Sequence, residues 1–460
     1  MEDVCKDEQK GREEASTNGN GPSPGGRNSI HGRLRLMVRA FRYRNFQLFF
    51  LGQSLSLVGT WMQLVAVGWL VYRLTGSALQ LGVVAFAGQI STLVLPPFAG
   101  LLADRVERRR LLIWTQSLFL AQALFLSLLV LSGSVRIWQV ALLSLLNGII
   151  NSFDMPARHS FVADLVPDRE DLANAIPLNS AMFNSARLVG PSLAGILISR
   201  FGESVCFLIN AASYLAVLAA LCAMRVPSAP RRQSDGRRAF SEILDGFVYA
   251  WSSLPLRGTL LLLCLLSLTI MPYTTLLPAF ARDVLHGTSR DYGFMVTASG
   301  VGCLACNILF AARRNVLGLA GVLPPAIIAV AVCLAVLSLS RGFPAALVIL
   351  FFLGGISMAQ LTASNVILQT VVDHDKRGRV MSLYIMSFIG MIPIGGLAAG
   401  AIAESVGVVR TMLGGACICL AGACIFLAVF SRFRSELAAM YRRVGVAGES
   451  PGHDAEDNNS

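Results

Sequence analysis

The chain has 460 residues and a formal net charge of +11; 54% of its residues are hydrophobic and only 14% are charged. A soluble domain is about a quarter charged, which excludes an ordinary soluble enzyme, and 8% aromatic content excludes a disordered or collagen-like chain. The basic residues punctuate apolar runs instead of gathering on one soluble surface, so nucleic acid is not an expected partner.

Residues 1 to about 30 are rich in Gly, Ser, Pro, Asn and charge and precede any apolar run, so they read as a disordered tail and not as a cleavable signal peptide. Twelve apolar segments follow, at roughly 46–72, 79–103, 111–132, 135–157, 173–199, 204–224, 258–281, 293–312, 316–339, 345–371, 378–403 and 408–430. Each is close to the roughly 20 residues that cross a bilayer as helix. The expected fold is an all-α membrane protein whose divisions are a tail 1–45, a six-helix bundle 46–224, a linker 225–257, a second bundle 258–430 and a tail 431–460. In the linker, Phe240, Ile243, Leu244, Phe247, Val248 and Trp251 recur at helical spacing beside Arg237 and Arg238, the pattern of a helix lying on the inner leaflet.

Orientation follows from the basic residues, because cytoplasmic loops retain positive charge. With both termini inside, the outer loops receive only Arg73, Arg136, Arg200, Arg282, Arg290, Arg341 and Arg410 of the 38 basic residues. Both termini are therefore expected in the cytoplasm. Lysine occurs only at Lys6, Lys10 and Lys376 and never after glycine, so no Walker A signature is encoded. The cysteines lie mostly inside apolar runs without clustered ligands and read as packing residues, so no metal or cofactor is expected.

The halves repeat in parallel, as transporter halves do when related by an axis along the membrane normal. LAGILISRFG at 193–202 aligns with AAGAIAESVG at 398–407, and TGSALQLG at 75–82 aligns with HGTSRDYG at 286–293. The order of the two matches is the same in each half, which supports a duplicated six-helix unit.

The loop after the second segment reads GLLADRVERRR, with Gly100, Asp104, Arg105, Arg108 and Arg109. It resembles motif A of the major facilitator superfamily, with Glu107 in place of that motif's second glycine; the resemblance implies a gating latch between halves. In the fifth segment, Gly190, Pro191, Ala194 and Gly195 resemble that superfamily's antiporter motif C, which implies export, while close helix packing explains the same small residues. Ser144 stands where motif B of the superfamily has an arginine. Residues 151–191, and the chain from about 40 to 430, resemble the branch containing enterobactin exporters, the third drug:proton antiporter family. That resemblance implies secondary export of siderophore-like or drug-like amphipathic molecules against protons across a bacterial inner membrane, by a single chain acting as a monomer among membrane lipids.

Polar residues inside spans are costly and face a cavity or partner helices. Gln53, Thr60 and Gln63 form one stripe on the first segment, Asn147, Asn151 and Asp154 one on the fourth, and Asn184 and Arg187 one on the fifth; Asn365 and Tyr384 are the counterparts offered by the second half. Interhelical hydrogen bonding is the alternative for each amide. Arg187 falls near mid-membrane; without a nearby acid it suits an anionic substrate group, and backbone carbonyls freed around Pro191 are the alternative partner. Asp154, nearer the inner end and too far from Arg187 for contact, is the candidate proton carrier. A lipid or lysophospholipid flippase, and a non-transporting scaffold or sensor, are the competing functions.

Overall fold

The computed structural model describes residues 39–95, 106–166, 168–224, 247–311, 318–373 and 375–443. These residues form the helices α1 (Arg44–Thr75), α2 (Ala78–Val94), α3 (Arg108–Leu131), α4 (Ile137–Leu165), α5 (Arg169–Phe201), α6 (Glu203–Ala223), α7 (Leu254–Val284), α8 (Ser289–Ala311), α9 (Leu319–Leu339), α10 (Phe343–Val371), α11 (Arg377–Val406) and α12 (Val408–Arg443). Eleven of them are long and apolar enough to cross a membrane, and α2 is an apolar helix described over 17 residues.

Local chemistry sets the helix ends. Gly76, at φ 62°, closes α1 by donating its N–H to Tyr72 O, and the Ser77 hydroxyl then caps α2 by accepting from Gln80 N. α7 is interrupted by π turns at Leu266–Ile270 and Phe280–Val284, around Pro272 and Pro278, whose missing N–H groups break the helical ladder. One expected boundary moves: α4 continues to Leu165, so Arg158 belongs to the helix and not to a loop. Of the amphipathic linker stripe, Phe240, Ile243 and Leu244 lie outside the described residues, while Phe247 stacks on Trp251 at 5.3 Å with both rings exposed.

The packing pattern shows the duplication. In the first half α1 packs on α5 and α6, α2 on α4, and α3 on α4 and α6; in the second α7 packs on α11 and α12, α8 on α10, and α9 on α10 and α12. The second set is the first with each helix advanced by six places. The halves meet where α2 crosses α11 and α5 crosses α8, again equivalent pairs.

The two sequence matches explain those crossings. A Cβ added at Gly195 would stand 2.8 Å from Ser289 O, and one at Gly293 2.5 Å from Pro191 O and 2.9 Å from Gly195 Cα. At the other crossing, a Cβ on Gly82 would lie 2.9 Å from Gly396 O and one on Gly400 2.6 Å from Ala78 O. Gly195 aligns with Gly400 and Gly82 with Gly293 in the repeats, so both crossings use the same pair of backbone-to-backbone approaches.

Hydrogen bonds, ring stacks and close glycine contacts between the halves concentrate at one end among the described residues. Trp69 stacks on Tyr292 at 6.1 Å, and the deepest of the glycine contacts is Leu93 against Gly390. We call this the closed end. At the opposite, terminal end each half instead binds its own lead segment. Tyr43 donates to Asp171 Oδ2 at 2.8 Å with Arg42 over its ring, and Tyr249 donates to Asp373 Oδ2 at 3.0 Å with Lys376 over its ring. Burial raises the phenol of Tyr249 above its usual range, helped by that Asp373 bond, so it stays a donor.

Candidate functional site

Arg187 lies at the midpoint of Asn174–Phe201, a 28-residue span, hence roughly 20 Å from either end at 1.5 Å per residue. Its guanidinium sits over the Trp61 ring of α1 at 5.6 Å, within the range of a cation–π contact. Its Cγ is 3.8 Å from the position a Cβ on Gly300 of α8 would take, so its stem lies against the second half. Tyr273 of α7 is close enough to feel its charge and bonds Ser299 of α8 at 2.8 Å. One cation thus touches helices of both halves at mid-depth. Among the described residues no carboxylate forms an ion pair with it.

The other expected cavity residues separate into two groups. Thr60 is exposed, Asn147, Asn151 and Asn184 are half-buried, and Asn365 accepts from Gln369 of its own helix at 2.7 Å. Gln53 and Gln63 are buried at 3% and 7% exposure. The Gln63 amide is taken up between helices: it donates to Gln122 of α3 at 3.1 Å and accepts from Asn210 of α6 at 2.8 Å, which places it in an interhelical network and not on an open face. A buried amide needs such partners.

Asp154 is 1% exposed and fully engaged. Oδ1 accepts from Thr115 and Gln116 of α3, both at 2.8 Å, and Oδ2 pairs with Arg158 at 3.1 Å one turn along α4. Because α4 outruns its expected end, the arginine that neutralises Asp154 is a helical neighbour that the segment boundary hid.

Gly100, Asp104 and Arg105 of the motif A loop lie outside the described residues. Arg108 and Arg109 bond within their own half: Arg108 donates to Asp164 Oδ1 at 2.7 Å, and Arg109 donates to Leu221 O at 2.8 Å and Cys222 O at 3.2 Å. The last carbonyls of α6 lack intrahelical partners and attract a cation, so in this arrangement these arginines brace α3 against α4 and α6. Within motif C, Gly190 clears the Trp61 Cβ, Ala194 is fully buried, and Pro191 and Gly195 form the α5–α8 crossing.

Trp61 was not singled out as a site residue from sequence. Trp61 lies on α1 one residue past Thr60 of the polar stripe, and an aromatic beside such a stripe was the available signal.

A duplicated six-helix unit with paired glycine crossings and a central cation defines a transporter of the major facilitator superfamily, not an enzyme. Within it, the chain belongs to the family described as transmembrane secretion effectors, whose model matches residues 38–442. Similar proteins include the staphyloferrin A transporter of Staphylococcus aureus, 27% identical over 79% of this chain and 90% of that protein, and the multidrug efflux pump Tap of Mycolicibacterium fortuitum, 26% identical over 77% and 88%. Macrolide efflux protein A of Streptococcus pyogenes is 23% identical over 80% and 92%. Among solved structures, the nucleoside transporter NupG superposes with a TM-score of 0.68 at 15% identity, covering 84% of this chain and 99% of its own. An inward-facing bacterial homologue of ferroportin gives 0.65 at 19% identity over 85% and 98%.

Proposed function

We propose that the protein exports amphipathic, anionic small molecules by proton antiport across a bacterial inner membrane, with its terminal end in the cytoplasm. The basic loops favour that orientation, and relatives that carry a siderophore, drugs or macrolides favour export. The closed end then faces outward and the halves, taken as 46–224 and 258–430, part toward the cytoplasm. Asp154 is the acid assigned to proton exchange, with Arg158 as the counter-charge that must be released from it.

One observation carries the substrate reading: Arg187 stands at mid-depth between the halves, over the Trp61 ring and against Gly300, and paired with no acid among the described residues. An anionic group of the substrate completes its hydrogen bonds. Losing a bond of this kind costs about 1.5–3 kcal/mol, or roughly one to two decades of affinity. Binding of a panel of carboxylate-bearing siderophores to purified protein should fall by that amount in Arg187→Ala. Arg187→Lys should recover only part, since it lacks the planar fork. Normal binding in both variants together with a lower melting temperature would make Arg187 structural.

A further inference from the structure

Two carboxylates accept hydrogen bonds across the halves at the closed end. Tyr72 of α1 donates to Asp283 Oδ2 at the end of α7. These two residues stand 211 residues apart, the offset of the 75–82/286–293 match, so the bond joins equivalent positions across the pseudo-twofold axis. On α11, Glu404 Oε2 accepts from the Ser77 hydroxyl at 2.9 Å and from Leu79 N–H at 3.2 Å, both at the start of α2. The two bonds flank one turn, because Tyr72 O accepts the Gly76 N–H that closes α1 and Ser77 is the cap that opens α2. Arg282 also donates to Tyr72 O at 3.3 Å.

Among the described residues the neighbouring charges form no salt bridge with either carboxylate. Arg73 of α1 bonds Glu203 at 2.7 Å, Asp291 of α8 accepts from Thr288, and Arg290 of α8 lies over Phe294. α2 carries no charged residue, and His286 of the α7–α8 turn and Arg410 of α12 complete the set. Among the described residues no cation stands within 4 Å of Asp283 or Glu404. Both carboxylates are therefore held by neutral donors alone, and a hydrogen bond to an ionised acceptor is roughly twice as strong as one to a neutral acceptor.

We propose that Asp283 and Glu404 are positioning residues of a proton-sensitive lock on the transport cycle. Ionised, they accept the Tyr72, Ser77 and Leu79 bonds and hold the closed end shut. Proton uptake from the compartment facing that end places a proton on a carboxylate oxygen, weakens those bonds and lets the halves part there. The sign follows from the chemistry: an ionised carboxylate accepts these bonds with the help of its charge and a protonated one does not, so the bonds are strongest with both groups ionised and weaken as pH falls. The lock needs no knowledge of substrate, coupling ion or orientation, so its failure leaves the export reading untouched.

The test is a distance measurement between spin labels at Ser134→Cys and Arg341→Cys, exposed positions on the α3–α4 and α9–α10 turns, in the full solubilised chain. Wild type should show the short distance near neutral pH and gain a longer one as pH falls. Asp283→Asn with Glu404→Gln should populate the longer distance already at neutral pH, with a shift in ratio on the order of ten-fold, and should lose most of the pH response. Tyr72→Phe should raise the open population while keeping the response due to Glu404. If the double variant fails to fold, Glu404→Gln alone, at an exposed side chain, gives the same comparison with a smaller shift. A wild type insensitive to pH, or variants that respond as wild type does, would overturn the lock.

Discussion

Gly195 meets Gly293 where α5 crosses α8, and Gly82 meets Gly400 where α2 crosses α11, yet the residues beside the two crossings differ. Glu404 of α11 caps the first turn of α2 across the seam, whereas its repeat equivalent Ser199 bonds Ile196 O of its own helix and α8 is preceded by a cap from its own Asp291. α4 and α10 differ in the same way. Both have 29 residues and align end to end, with Gly148 matching Gly354 and fully buried Ala157 matching Ala363. But the Asp154–Arg158 pair of α4 falls on Gln360 and Ser364 of α10. Close backbone approaches tolerate no side chain, so duplication retains them; polar groups can be exchanged in one half whenever their partners change too.

The largest effect is expected at the α4 pair. Arg158→Met leaves Asp154 buried without its counter-charge, which costs about 3–5 kcal/mol, so the variant should melt far below wild type. Asp154→Asn combined with it should restore much of that stability, because the uncompensated charge is gone. Asp154→Asn alone separates roles: loss of pH-driven transport with substrate binding intact supports proton exchange, while parallel loss of folding and binding makes the pair a brace. Ser364→Arg in α10 should give no matching gain, since Gln360 offers no charge to pair with.

Next come the crossings. Gly293→Leu and Gly400→Leu each force a side chain into space already held by backbone, at 2.5 Å from Pro191 O and 2.6 Å from Ala78 O respectively. Overpacking of this kind costs about 1–3 kcal/mol. Both should abolish closure at that end and reduce efflux alike. Unequal losses, measured as efflux per surface-expressed molecule, would show that the scaffold itself is asymmetric and not only its polar decoration.

The helices were legible in the sequence because twenty-residue apolar runs have few alternatives. The crossings were legible too: the two weak repeat matches contained the four glycines that meet, although alignment alone did not say that they meet each other. The depth of Arg187 within its span was legible. The rest was not, for reasons of direction. Gln63 shares a stripe with Thr60, but one turn of helix is enough to send its amide between α3 and α6 instead of toward the seam. Asp283 and Glu404 stood at span ends, where a carboxylate is unremarked because it reaches water; only the fold shows that each receives its hydrogen bonds from the opposite half.

The smallest and most discriminating effect is expected at Gln360. Both of its amide atoms, and the Ser364 hydroxyl one turn on, are fully buried with no partner among the described residues. Its α4 counterpart, Asp154, has donors on Thr115 and Gln116, while α9, which packs on α10 as α3 packs on α4, is apolar from Leu323 to Leu337. An unsatisfied buried amide costs on the order of 1–3 kcal/mol, and its replacement by an apolar group of similar shape is neutral or stabilising. Gln360→Leu should therefore hold or raise the melting temperature, whereas Asp154→Leu at the equivalent position should lower it by stranding Arg158, Thr115 and Gln116. If Gln360→Leu instead keeps its stability and loses efflux, the amide finds its partners only when the halves rearrange, and the second half has a polar function that the closed-end arrangement leaves unmade.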